Sequence, residues 1–164
     1  MDSQAALKVN LRYFSDKWKK LVEVDGKGCK VCLTREQQLK ILLEWGEEKF
    51  SRGDFRGAVR IFKRVLEIDR TNSEALNNIG VIQWQLGDTA SAMTIFQNSL
   101  AINPRDPDAL GNLARAAAET GRFDRIDPGL LEILKAKQPA NPYIDRIIEA
   151  RQGLSIEGNR EARA

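Results

Sequence analysis

Small and large apolar residues recur through the middle of the chain with a period of 34 residues. Glycine marks the period most clearly, at Gly53, Gly87 and Gly121. The positions that keep register with it are Gly46, Gly80 and Ala114; Ala58 and Ala92; Phe62 and Phe96; Leu66 and Leu100; and Leu76 and Leu110. A fixed period of this length with apolar residues at set offsets predicts repeated pairs of helices joined by a turn.

The pattern predicts three such repeat units, at 39–72, 73–106 and 107–138. Their helices are expected near 35–51, 54–68, 73–86, 89–102, 107–120 and 123–137. Each marker glycine follows the first helix of its unit, where a left-handed residue is least costly for glycine. Asp127-Pro128 interrupts the last helix, and we expect Pro128 to begin a shortened helix that Asp127 caps.

Close contact between paired helices is predicted at the small residues of the repeat. Gly46 and Gly80 lie midway along the first helix of their units. Ala58 and Ala92 lie early in the second helix, and we expect them to face these glycines. A bulky side chain at either place would hold the helix pair apart and remove packing contacts.

These residues make the chain similar to the tetratricopeptide repeat (TPR) family. The resemblance implies an all-α fold, a superhelix of about three helix–turn–helix units whose first helices line a concave groove. It implies that the groove binds a peptide or helix of a protein partner and is lined by Leu43, Glu47, Phe50, Asn77, Val81, Trp84, Gln85, Arg115 and Glu119. Phe50 and Trp84 share a register position, so we expect these two aromatic anchors to be neighbours in the groove.

One known use of the family does not fit this sequence. TPR co-chaperones hold the C-terminal carboxylate of heat-shock chaperones with Lys and Arg on the groove helices. Four of the corresponding positions here hold Leu43, Glu47, Asp108 and Asn112, which do not fit that pattern. The one residue that does fit is Asn78. Carboxylates at these positions would repel an acidic peptide end.

Residues 1–38 are predicted to hold an amphipathic helix, over 4–23, followed by a cysteine-containing turn. The apolar stripe of this helix consists of Leu7, Leu11, Phe14, Trp18 and Leu21. Its spacing of four and three residues suits packing on the first repeat, and it also suits a self-association seam that would make the protein a homodimer. A third interpretation is a basic surface for anionic lipid or RNA.

The C-terminal part is predicted to close the array. Asn141-Pro142 is an N-cap followed by proline at the first helical position. We expect a capping helix within 139–152, because repeat arrays need a terminal element over the last unit. Residues 153–164 are polar and are expected to form a flexible tail.

The composition argues against catalysis. The chain has no histidine, which removes the commonest general base and the histidine-dependent nucleophile pairs. We therefore predict no enzymatic activity, no cofactor and no small-molecule substrate. The net charge of +3 is too small to favour nucleic acid, and the absence of a long apolar run argues against a membrane protein and favours the cytoplasm.

Cys29 and Cys32 are the one motif with potential chemistry. Tetrahedral zinc takes four ligands, so this pair would need a second chain or carboxylate ligands to hold a metal. The alternatives are a redox-sensitive disulfide and an ordinary turn in which the cysteines pack as small apolar residues.

The sequence as a whole predicts a non-catalytic protein-interaction adaptor, in the sense of a scaffold, or an assembly factor. Two alternatives remain. The layout also resembles the translocator chaperones of type III secretion, and the cysteine pair would suit a redox- or metal-responsive module.

Overall fold

A computed structural model describes the backbone of residues 34–161 and the side chains of residues 34–153. The chain divides into two units, Met1–Gln38 and Leu39–Ala164. The described elements are α1 (Arg35–Ser51), α2 (Phe55–Ile68), α3 (Ser73–Gln85), α4 (Thr89–Ile102), α5 (Pro107–Thr120), a 3-10 turn (Phe123–Arg125), α6 (Pro128–Lys137) and α7 (Pro142–Glu161). No strand occurs in residues 34–161, which agrees with the predicted all-α repeat fold.

Polar residues in the sequence fix where the helices begin. At the start of α1, the backbone N–H of Gln37 donates to Thr34 Oγ1 at 3.2 Å, and the backbone N–H of Thr34 donates to Gln37 Oε1 at 2.9 Å. This reciprocal pair is a capping box. The side chains that accept a backbone N–H at the starts of α2 to α6 are those of Asp54, Asn72, Asp88, Asp106 and Asp127. Each satisfies a donor that the helix itself cannot pair.

The marker glycines end the first helix of each unit, as predicted. Gly53, Gly87 and Gly121 have φ of 75°, 86° and 65°, all in the left-handed region. A side chain there would strain the backbone, so the 34-residue recurrence of glycine records a recurring turn.

In each of the first two units, a phenylalanine ring of the second helix lies directly against a glycine of the first helix. A Cβ added at Gly46 would lie 2.4 Å from Cε1 of Phe62, and one added at Gly80 would lie 2.6 Å from Cε1 of Phe96. Both rings are buried. The rings are the nearest neighbours of these glycines and the two alanines are fully buried, so the expectation that Ala58 and Ala92 also face the glycines stays a prediction.

The third unit replaces both partners of this contact. Ala114 occupies the glycine position, and Leu130 lies 34 residues after Phe96. Leu130 is buried, and Ala114 packs against the same apolar core. Because leucine is smaller than phenylalanine, we expect these two replacements to compensate each other in volume.

The irregular start of the second helix in this unit was also predicted. Ile126 is fully buried at the register position of Ala58 and Ala92, and it follows the 3-10 turn. Pro128 begins α6, and the Leu130 N–H donates to the Asp127 carboxylate at 3.0 Å.

Side chains from neighbouring helices hold the turn in place. Gln97 Nε2 donates to the Arg125 carbonyl at 3.3 Å, and Gln97 Oε1 accepts the Asp127 N–H at 2.7 Å. From α7, Arg151 Nε donates to the Ile126 carbonyl at 3.2 Å.

The last helix is longer than predicted. Ile144 and Ile147 are buried and Ile148 packs against the core, as a capping helix requires. The helix continues to Glu161, so its expected end at Gln152 was wrong, and residues 153–161 of the expected flexible tail are helical. This segment has no proline, and its two glycines each cost only about 1 kcal/mol relative to alanine. Among the described helices, none is both long and apolar enough to cross a bilayer.

The glycine–phenylalanine contact can be tested by its compensation. We expect Gly80→Ala to lower the free energy of unfolding by about 1–2 kcal/mol, because the new methyl group would overlap the buried Phe96 ring. In a Phe96→Leu background, the same Gly80→Ala change should be neutral or stabilising, as the Ala114 and Leu130 pair implies. Urea unfolding of the four proteins measures the coupling.

Gly111→Ala is the matched control. Gly111 lies in helix α5, and a Cβ added there would meet no atom within 4 Å. This change should stabilise the protein by up to about 1 kcal/mol, through helix propensity alone. If Gly80→Ala were as stable as Gly111→Ala, the close contact would not limit the fold.

Candidate functional site

The first helices of the second and third units, α3 and α5, share one face, which we call the groove face. Two side-chain hydrogen bonds join the helices there: Asn112 Nδ2 donates to Asn77 Oδ1 at 3.0 Å, and Trp84 Nε1 donates to Glu119 Oε2 at 2.6 Å. Each bond links residues 35 positions apart. The two helices therefore stack in register over two turns, with Val81 between the two bonds on α3.

Arg115 connects the two ends of this face. Its guanidinium carbon lies 5.2 Å from the centre of the Trp84 ring, and its NH2 group donates to Asn112 Oδ1 at 2.8 Å. The first contact is a cation–π interaction and the second fixes the arginine fork. Trp84, Arg115 and Glu119 thus form one connected cluster on the protein surface.

The Trp84 ring is also supported from below. It meets the buried Phe96 ring edge-to-face, with centroids 6.3 Å apart and planes at 82°. The indole N–H and the ring of Trp84 therefore already contact Glu119, Arg115 and Phe96 before a partner binds. A tryptophan held in one rotamer loses little conformational entropy on binding, and both tryptophan and arginine are frequent anchors in interfaces.

The predicted residues of the first unit lie on α1. Leu43 and Phe50 are half-buried against the core of that unit, and Glu47 is exposed. The Phe50 ring contacts Phe55, at 5.6 Å between centroids and 46° between planes. No ring contact joins Phe50 to Trp84 in the described part of the chain, and their expected closeness in the groove stays a prediction.

One edge of the groove face is anionic. The carboxyl group of Glu74, in the first turn of α3, has a pKa raised above its ordinary value by partial burial and then by the charges of Glu47 and Asp106. Glu47 belongs to the first unit, whereas Glu74 and Asp106 belong to the second, where Asp106 caps the start of α5. Sequence reasoning missed Glu74, although its position recurs as the acidic Asp108 one period later.

The described residues provide no grouping of three or more Cys, Asp and Glu side chains that could bind a metal ion. Cys29 and Cys32 lie outside the described residues, and so does the Leu7, Leu11, Phe14, Trp18 and Leu21 stripe. Both therefore stay predictions.

Comparison with known proteins gives one family. The family model "Tetratricopeptide repeat" matches residues 49–97 and 83–125. No curated protein sequence matches the chain.

Several solved structures share the fold. The first TPR domain of human RPAP3 is 18% identical, with a TM-score of 0.52, over 74% of this chain and 96% of that one. PcrH from Pseudomonas aeruginosa is 17% identical, with a TM-score of 0.53, over 75% and 95%. An O-GlcNAc transferase from Thermobaculum terrenum is 25% identical, with a TM-score of 0.53, over 67% of this chain; the match spans only 21% of the transferase chain.

The anionic edge predicts a pH-dependent stability difference. Because the folded-state pKa of Glu74 is raised, ionisation of Glu74 opposes folding at pH values above that pKa. Glu74→Gln should therefore raise the melting temperature at pH 7. The gain should disappear below about pH 4, where the carboxyl group is protonated in the folded and unfolded chain alike.

Thermal unfolding across pH 3 to 8 measures this difference. The same substitution in a Glu47→Gln background should give a smaller gain, because one source of repulsion is gone. A gain that is equal at every pH would show that the charge of Glu74 is not its cause.

Proposed function

Because the chain belongs to the tetratricopeptide repeat family, we propose that it is a non-catalytic adaptor or assembly factor that holds a peptide or helix of a partner protein on the groove face. The observation that carries this proposal is the Trp84 ring, fixed by Glu119, Arg115 and Phe96 on the surface between α3 and α5. A pre-ordered aromatic beside a cation and an anion can bury an apolar side chain and position the polar groups around it.

Proteins of the same fold support peptide binding as the mode of action. One solved structure is the first TPR of RPAP3 bound to the HSP90 peptide SRMEEVD, and another is the Yersinia enterocolitica chaperone SycD with a peptide of the translocator YopD. These chains are 18% and 13% identical to this one, so they share its fold.

The charges of the groove face argue for a different kind of peptide. Three of the last four residues of SRMEEVD are acidic, whereas Glu47, Glu74 and Asp106 make one edge of this groove face anionic. Asn78, which matched the carboxylate-holding pattern, has its side-chain nitrogen buried with no hydrogen-bond partner. We therefore propose a partner segment with an apolar anchor and neutral or basic neighbours.

A chaperone for a secreted translocator is the second candidate function. PcrH in complex with the chaperone-binding region of PopD aligns with 79% of this chain and 97% of its own, at 18% identity and a TM-score of 0.52. The two functions differ in what happens to the partner: a chaperone releases an apolar secreted protein, whereas an assembly factor stays in a folded complex. Affinity purification from native extract, followed by mass spectrometry, identifies the partner and separates them.

With the partner in hand, Trp84→Ala should weaken binding by about 2 kcal/mol, or roughly 30-fold in Kd. The expected cause is loss of the aromatic anchor, and calorimetry measures it. Gln85→Lys should also weaken binding, because it adds a cation at an exposed groove position without touching the core. Circular dichroism establishes that both variants remain folded.

Tyr143→Ala is the control, because Tyr143 is an exposed aromatic on α7, away from α3 and α5. It should leave Kd unchanged. Folded Trp84→Ala and Gln85→Lys variants with the parent's affinity would eliminate the groove face as the binding site.

A further inference from the structure

The exposed side of α2 carries four cations, which we call the basic stripe: Arg56, Arg60, Lys63 and Arg64. Their spacing of four, three and one residues places them on one side of the helix. The opposite side of α2 buries Ala58, Phe62 and Val65. The stripe therefore faces solvent along about two helical turns.

Helix stability does not account for these charges. Arg56 lies in the first turn, where the helix dipole disfavours a cation, and α2 has no acidic residue in that turn. By contrast, α3 and α5 carry Glu74 and Asp108 there. Arg60 lies four residues from both Arg56 and Arg64, a spacing at which like charges destabilise a helix.

Few acids neutralise the stripe. Arg64 forms an ion pair with Glu67. Arg56, Arg60 and Lys63 form no ion pair within the part of the chain that the structure describes. The pKa of the Asp54 carboxyl group is lowered by the Gly57 N–H, by Lys49 and, least, by the charge of Arg60, so this acid attracts the stripe without pairing with it. Three cations of the stripe thus make no ion pair within the described residues and can bind another molecule.

The repeat does not account for the charges either. One period later, on α4, the corresponding residues are Ala90, Thr94, Gln97 and Asn98, all uncharged. The buried positions of α2 do recur, as Phe62 recurs in Phe96. The stripe is thus a property of the first unit alone, added to a helix whose packing follows the common pattern.

We propose that the basic stripe is a second interaction surface, and that it binds an acidic helical segment of a partner protein. Three of the four cations are arginines, whose planar fork matches a carboxylate with two parallel hydrogen bonds. Carboxylates at helical spacing on the partner would contact the four cations one after another along α2. The stripe lies on a second helix, whereas the groove face lies on first helices, so one molecule can hold two partners.

The side chains around the stripe favour a protein over other polyanions. Single-stranded nucleic acid binds through aromatic side chains on which bases stack. Of the two aromatic residues of α2, Phe62 is buried and Phe55 packs on Phe50. Stable anchoring at an anionic membrane combines basic residues with apolar side chains that insert. The exposed large apolar residues of the described chain are Leu86, Ile102, Ile133 and Tyr143, and none lies on α2.

The test is a titration of the ¹⁵N-labelled full-length chain with a synthetic helical peptide. The peptide carries four glutamates at the spacing of the stripe, and a peptide of the same composition in scrambled order is compared with it. We expect amide shifts at α2 that weaken as salt is added. The scrambled peptide should bind at least about threefold more weakly, since only ordered carboxylates match the stripe.

Two variants with equal charge change separate the stripe from net charge. The stripe variant combines Arg56→Gln, Arg60→Gln, Lys63→Gln and Arg64→Gln. The control variant combines Arg105→Gln, Arg125→Gln, Lys137→Gln and Arg146→Gln, all at exposed positions. The stripe variant should lose about tenfold in peptide affinity, against less than about twofold for the control. If the stripe variant does not fold, the single Arg60→Glu change takes its place.

Equal losses in both variants would overturn the proposal, because net charge would then be the cause. Tighter binding of an RNA oligomer or of phosphatidylserine vesicles through the stripe would overturn it in favour of those polyanions. Trp84→Ala should leave peptide binding at the stripe unchanged, so this result does not depend on the groove face.

Discussion

The contact between a glycine on one helix and a phenylalanine ring on the next sets the geometry of the array. Gly46 with Phe62 and Gly80 with Phe96 bring the two helices of a unit as close as backbone and ring allow. Between the second and third units, the bonds that join Asn77 with Asn112 and Trp84 with Glu119 hold the first helices in register.

The same contact links the core to the surface. The Phe96 ring that fills the space at Gly80 also supports the Trp84 ring edge-to-face. The proposed anchor is therefore held by the residue that spaces the helices, and Arg115 and Glu119 hold it from the neighbouring unit. Binding on such a surface requires little reorganisation, which is the physical advantage of a stacked repeat as an adaptor.

The sequence predicted the elements of the fold better than its contacts. The 34-residue period located the helices and the left-handed glycines, because both depend on local backbone preferences. The sequence indicated Ala92 opposite Gly80, but it did not show that the Phe96 ring lies nearest to this glycine. The Trp84–Glu119 bond and the carboxylates near Glu74 depend on side-chain positions between units, which a period alone does not specify. The length of α7 was underestimated because the polar character of residues 153–164 was taken to indicate a flexible tail, although polar residues of this kind also form helix.

The central claim is that the partner lies on α3 and α5, and site-specific photocrosslinking of the complex tests it most directly. Benzoylphenylalanine at Gln85, an exposed residue at the end of α3, should crosslink to the partner. The same probe at Thr94, exposed on α4, should not. Crosslinking from Thr94 and none from Gln85, with both proteins folded and bound, would place the partner on the other side of the array and contradict the account.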